Sequence, residues 1–184
     1  MGTKRDALFY LKRFCSQTKN SPDAEIKEDH EKYWALNGYI GGIIYKDISE
    51  SYYRHDKNNL ISKAIYDVTT SSYVKEYEYL KQHIINLRDQ CKVAQKKTRD
   101  AKEIVFLNLE DLRLTTFWEY DLAVRADFLI KVCDFITKSK EEQIYIYYID
   151  EHKPLVFISA NRCLQSLAMS YRFNNTEWSE DDDE

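Results

Sequence analysis

The side chains able to do chemistry are few and scattered. Four histidines (His30, His55, His83, His152) and four cysteines (Cys15, Cys91, Cys133, Cys163) are spread over 184 residues. A di-iron bundle site needs Glu three residues before His, so that carboxylate and imidazole reach one metal from one helix face. Lys27, Tyr52, Leu80 and Ile149 hold those positions instead. His30-Glu31 has no second His four residues after the first, which excludes a zincin arrangement, and no Cys-x-x-Cys pair is present to hold structural zinc. Neither a Gly-x-x-x-x-Gly-Lys loop nor a Gly-x-Gly-x-x-Gly turn exists to cradle phosphates. A Cys163–His152 dyad would have to be assembled by the fold, and a cysteine on an apolar stripe more often serves as a small hydrophobe. The expectation is a non-enzyme that needs no cofactor and no metal.

Two binding features remain. Arg88, Lys92, Lys96 and Arg99 are spaced 4-4-3, and Lys81 lies one heptad before Arg88. On one helix they would form a basic stripe roughly 27 Å long, suited to nucleic-acid phosphates but also to an ordinary solvated face. From Lys81 to Lys102 the chain holds seven basic residues and two acidic ones. The second feature is the acidic end. Glu177, Trp178 and Ser179 lead into Glu180, Asp181, Asp182, Asp183 and Glu184. Charges that steer and a ring that anchors are what a partner-binding tail requires, and a phosphate on Ser179 would add to its charge. The whole chain has a formal charge of −4, so a near-neutral total conceals a basic centre and an acidic end.

The elements that would position these groups read as helices. From Ile43 to Lys153, 111 residues pass without Gly or Pro, whereas tight turns between strands draw on both. A first helix is expected over about Lys4 to Thr18. A second runs from Pro22 with Ile26, His30, Tyr33, Asn37, Ile40, Ile44 and Ile48 on one face. Gly38, Gly41 and Gly42 would kink it or admit another helix at close range. From Tyr73 to Ile136 a 4-3 spacing persists, with Leu80, Ile84, Leu87, Leu112, Leu122 and Leu129 as its packing seam. That pattern predicts one long heptad helix over about 73–137, roughly 95 Å if unbroken, with a break near 98–100 as the hairpin alternative. Residues 144–159 are ambiguous. Their β-branched and aromatic content suits a β-hairpin, but an isolated hairpin is marginal in water, and a short helix is preferred. A last helix would carry Phe157, Ala160, Leu164, Leu167 and Tyr171.

These readings give an all-α protein, a helical bundle built on a coiled-coil seam, with residues 1–173 as one helical domain and 174–184 as a disordered acidic tail. No uncharged run approaches the roughly 18 residues of a membrane span, and unpaired cysteines suit a reducing cytoplasmic or nuclear setting. Fifteen tyrosines exceed what one core needs and point to an interface. The expected function is a non-catalytic intracellular adaptor or assembly subunit, or a small inhibitor of a partner protein. It would act through protein contacts or self-association; the alternative is a nucleic-acid-associated protein using the basic stripe, masked by its tail.

Overall fold

The Gly- and Pro-free stretch is not one helix. The computed structural model describes residues 2–47, 56–116 and 118–172, and there the chain makes four helices and ten strands. In order these are α1 (Gly2–Lys12), β1 (Lys27–Glu28), β2 (Lys32–Leu36), β3 (Ile40–Tyr45), α2 (Leu60–Thr69), β4 (Lys75–Leu80) and α3 (Lys81–Thr98). There follow β5 (Ile104–Asn108), β6 (Arg113–Thr115), β7 (Leu122–Arg125), α4 (Ala126–Ile136), β8 (Gln143–Tyr148), β9 (Leu155–Ser159) and β10 (Leu164–Ala168). The all-α, coiled-coil expectation is therefore wrong. The expected second helix is β1 to β3, the long heptad helix is β4 to α4, the short helix at 144–159 is β8 and β9, and the last helix is β9 and β10.

The turns explain the error. Arg99, Leu112 and Arg162 adopt left-handed backbone at φ 55°, 48° and 60°, positions usually given to Gly. Asp100, Asn108, Asp150 and Asn161 close neighbouring turns by accepting backbone N–H groups from Lys102, Asp111, His152 and Cys163. Short polar side chains thus do the turning. Between them, Ile-Val-Phe-Leu-Asn in β5 and Gln-Ile-Tyr-Ile-Tyr-Tyr in β8 have the β-branched and aromatic content of strands.

Seven strands form an antiparallel sheet in the order β1-β2-β3-β10-β9-β8-β4, and three form a second sheet, β6-β5-β7. Two strand–helix–strand–strand units, β4-α3-β5-β6 and β7-α4-β8-β9, interlock. The first strand of each pairs with the strand that follows the other's helix, β4 with β8 and β7 with β5. The hairpin of β8 and β9 is stable because it lies inside a sheet rather than alone. Alternation along β9 divides the core: Leu155 and Phe157 join α1, α3 and α4, whereas Val156 and Ile158 meet Ile61, Ile65 and Val68 of α2 on the other face. Two tyrosines pin the sheets together. Tyr79 donates to the carbonyls of Leu109 and Glu110, and Tyr148 donates to that of Asp121 at 2.8 Å. Burial pushes both phenols up to about 12.

Two glycines admit the helices on opposite faces of β3. A Cβ at Gly42 would stand 2.6 Å from the Phe14 ring, and one at Gly41 would stand 3.1 Å from Leu36 and 3.2 Å from Ile61. Gly42→Ala should cost about 1–3 kcal/mol in chemical denaturation, because a ring must move. Gly41→Ala should cost less, since only side-chain ends yield; equal losses would contradict this packing.

At the far side of this sheet Lys32 is only 1% exposed. Its ammonium lies 3.0 Å from Asp29 and 2.9 Å from Asp56. Burial disfavours its charge, but the two carboxylates outweigh this and raise its pKa. Burial raises Asp29 too, yet the backbone N–H groups of Glu31 and Lys32 and the ammonium bring it below the usual 3.8; Asp56 is lowered chiefly by its bond to Lys32. Lowered carboxylates contribute stability above their unfolded value and lose it as pH falls through the folded one. Melting temperature should therefore drop between about pH 5 and pH 2, and Lys32→Met should flatten that drop. A raised lysine works in the opposite direction, so its own share is present below 10.5 and lost only in stronger alkali.

Candidate functional site

Helix α4 lies between α1 and α3 and packs on both. α3 runs antiparallel to it. The Ala126 N–H donates to the Glu103 carbonyl at one end (2.8 Å), and the Lys81 ammonium donates to the Ser139 carbonyl at the other (2.6 Å). The outer side of this layer is organised around Asp134, a buried carboxylate on α4. It accepts from Arg13 at the end of α1 (2.8 Å) and from Arg88 of α3 (3.1 Å). Lys131 stands three residues before Asp134 on α4, close to its face, and Lys138 lies in the turn just after the helix; both are half-buried. Lys92 and Lys96 follow Arg88 at intervals of four on α3 and are exposed. The result is a strip of lysines from α3, α4 and the turn after α4, beside a three-group ionic bridge.

The basic stripe expected from spacing is thus reorganised. Lys81 is committed to Ser139, and Arg88 to Asp134 and Asp89. Lys92, Lys96 and Arg99 remain at the surface, Arg99 as the left-handed cap of α3. Lys131 and Lys138 were not visible as site residues; the signal was Asp134 between Cys133 and Phe135 in a largely apolar helix, a carboxylate to which cations must come. Helix α3 itself holds five basic residues against the single acidic Asp89.

The seam residues separate. Ile84 and Leu87 of α3, Leu129 of α4, Leu122 of β7 and Leu112 in the β5–β6 turn share one core, whereas Leu80 at the end of β4 is exposed. They meet through a layered fold, not along a rod. His152 and Cys163 lie at opposite ends of β9, which dissolves the dyad. Burial pushes the Cys91 thiol up to about 12 and Cys133 well above its usual value, so neither is a nucleophile. Among the described residues no group of three or more His, Cys, Asp or Glu is placed to hold a metal ion, and no helix is long and apolar enough to cross a membrane. The tail residues Glu177, Trp178, Ser179, Asp181 and Asp182 lie outside the described residues.

A cleft of about 450 Å³ opens where α4 begins, lined by Gly38, Tyr39, Arg125, Phe128 and residues 169–172. Gly38, at φ 92°, turns the β2–β3 hairpin so that Tyr39 projects, 60% exposed. Tyr39 stacks on Phe128 with centroids 5.9 Å apart, and the Arg125 guanidinium lies 4.1 Å from the Phe128 centroid while pairing with Asp127 at 2.6 Å. The Ser170 hydroxyl, buried in this wall, has no hydrogen-bond partner.

No protein-family profile matches the sequence, and no curated protein matches it. The fold does match. A structure described as a DNA polymerase III β subunit from Eubacterium rectale superposes with a TM-score of 0.64 at 13% identity, over 93% of this chain and 64% of that one. The β subunit from Streptococcus pyogenes gives 0.55 at 10% identity, and the sliding clamp from Caulobacter crescentus 0.56 at 12%, each over 93% of this chain and 64% of the other. The architecture is therefore a mixed α/β fold of sliding-clamp type, and the chain spans 64% of the length of those structures. That fold overturns the all-α, helical-adaptor reading.

Replacing Asp134 with Ala should lower stability by about 1–3 kcal/mol, since two charge-assisted hydrogen bonds are lost. Arg13→Ala and Arg88→Ala should each cost less, because both guanidinium groups are partly exposed and water screens them. Unchanged denaturation of Asp134→Ala would show that the bridge does not hold the helix layer.

Proposed function

We propose that this chain is a non-catalytic, clamp-like subunit that lies along duplex DNA through its α1–α4–α3 layer and works beside a polymerase. The observation that carries the reading is the lysine strip on a sliding-clamp fold: Lys92 and Lys96 from α3, Lys131 from α4 and Lys138 from the turn that follows it. The similar proteins are named as sliding clamps and as β subunits of DNA polymerase III. A protein that must travel along DNA requires phosphate contacts without base readout, and lysines on helix surfaces supply those. Flexible stems and point charges tolerate any register along the backbone.

Binding of a short DNA duplex, followed as salt is varied, tests the reading. Each phosphate contact contributes about 0.9 to the slope of log affinity against log salt. Changing Lys92, Lys96, Lys131 and Lys138 together to Gln should reduce that slope by up to about four units and weaken binding equally on unrelated sequences. Absence of duplex binding by the unaltered chain near 50 mM salt would overturn the proposal, as would a quadruple variant with an unchanged slope.

A further inference from the structure

The cleft at the start of α4 is walled by the last described residues, Met169 to Arg172. The chain continues from that wall as Phe173-Asn174-Asn175-Thr176-Glu177-Trp178, then Ser179 and five consecutive acidic residues. We propose that this segment is the occupant of the cleft, with Trp178 against the Tyr39–Phe128 stack and the acidic run beside Arg172. The inference is independent of DNA binding.

Four observations support it. The first is reach: Trp178 lies six positions after Arg172, and an extended chain of that length covers up to about 20 Å. Tyr39 lies beside the start of that wall, its carbonyl accepting from the Met169 N–H at 2.8 Å. The second is shape and chemistry. Tyr39 is 60% exposed although it stacks on Phe128, and an indole laid there would cover apolar surface that now faces water. The third is charge. Arg172 is exposed and bonds only to the His152 carbonyl, so its guanidinium has no acidic partner among the described residues, and Glu177 to Glu184 offers six carboxylates. The fourth is the Ser170 hydroxyl, which lies 9% exposed in the cleft wall without a partner. An orphaned buried hydroxyl is costly, and an indole or backbone N–H arriving in the cleft would satisfy it. The competing destination, the lysine strip, has an apolar hollow of its own beside Val93, Ala94 and Leu114, but among the described residues no buried, unpartnered hydroxyl like that of Ser170.

Fluorine NMR of the full chain labelled with fluorotryptophan tests this. Trp178 is assigned as the resonance lost in Trp178→Phe. In the unaltered chain its signal should show little solvent-isotope shift. In Tyr39→Ala and in Arg172→Glu it should move to the position and isotope shift of a free indole, while Lys92→Gln with Lys96→Gln should leave it in place. A free-indole signal in the unaltered chain would overturn the proposal. So would a signal that responds to Lys92 and Lys96 but not to Tyr39, which would place the tail on the basic strip. Tyr39 sits on an exposed turn, so its replacement spares the core; the Trp34 resonance, unchanged in the same spectra, verifies the fold.

Discussion

Everything in this molecule is arranged around the burial of α4. Its sequence, Ala-Asp-Phe-Leu-Ile-Lys-Val-Cys-Asp-Phe-Ile, is apolar on nearly every side, and nine of its residues are buried. A helix of that kind must be enclosed. The seven-stranded sheet lies on one side through β3, β9 and β10, while α1, α3 and β7 cover the others. Burying it all round leaves Asp134 inside, where an unpaired carboxylate would be untenable. Arg13 and Arg88 resolve this by reaching in from the two flanking helices. The apolar requirement of one helix thereby fixes the relative placement of three, and that placement creates the outer face proposed to meet DNA.

The sequence carried part of this and concealed the rest. A helix near the N-terminus follows from local chemistry, though α1 ends at Lys12 rather than Thr18, and Gly41 and Gly42, expected to sit in a helix, lie in strand β3. The heptad did not survive because spacings of four and three also arise when short strands and helices succeed one another with one face inward. Ile84, Leu87 and Leu129 belong to helices, whereas Leu122 belongs to a strand and Leu112 to a turn, and only the sheet partner distinguishes them. Absence of Gly and Pro misled for a definite reason. Arg99 and Leu112 accept a left-handed backbone that costs roughly 1–2 kcal/mol, which surrounding tertiary contacts and Asx turns at Asp100 and Asn108 offset.

The site was legible in proportion to how local it is. Spacing along α3 marked the stripe, but spacing cannot report that Lys81 would cap the end of α4 or that Arg88 would be drawn to Asp134. The cleft is harder still, because Tyr39, Phe128 and Ser170 come from segments separated by some forty residues or more and are joined through β3, β10 and α4. Tyrosine abundance also had an internal reason. Tyr79 and Tyr148 spend their hydroxyls tying the small sheet to the large one, so a surplus over the apolar core is not by itself a surplus for partners.

The division between arginine and lysine in the helix layer follows the same logic into function. The cations that hold fixed carboxylates are Arg13, Arg88 and Arg125. A planar guanidinium forms directed hydrogen bonds and loses little freedom in doing so, which suits a bridge that must set helix positions. Lys92, Lys96 and Lys131 have no ion pair among the described residues, and Lys138 rests its ammonium 4.8 Å from the Tyr10 ring centroid. Their charge is therefore available to an outside anion at little cost in internal structure. Arg13 and Arg88 fix the frame together with Lys81 at its end, and these four lysines are left for the proposed duplex, whose phosphates recur regularly but whose register is arbitrary. A surface built to read bases would show the reverse distribution, with bidentate donors turned outward; here the directed donors turn inward to Asp134 and Asp127.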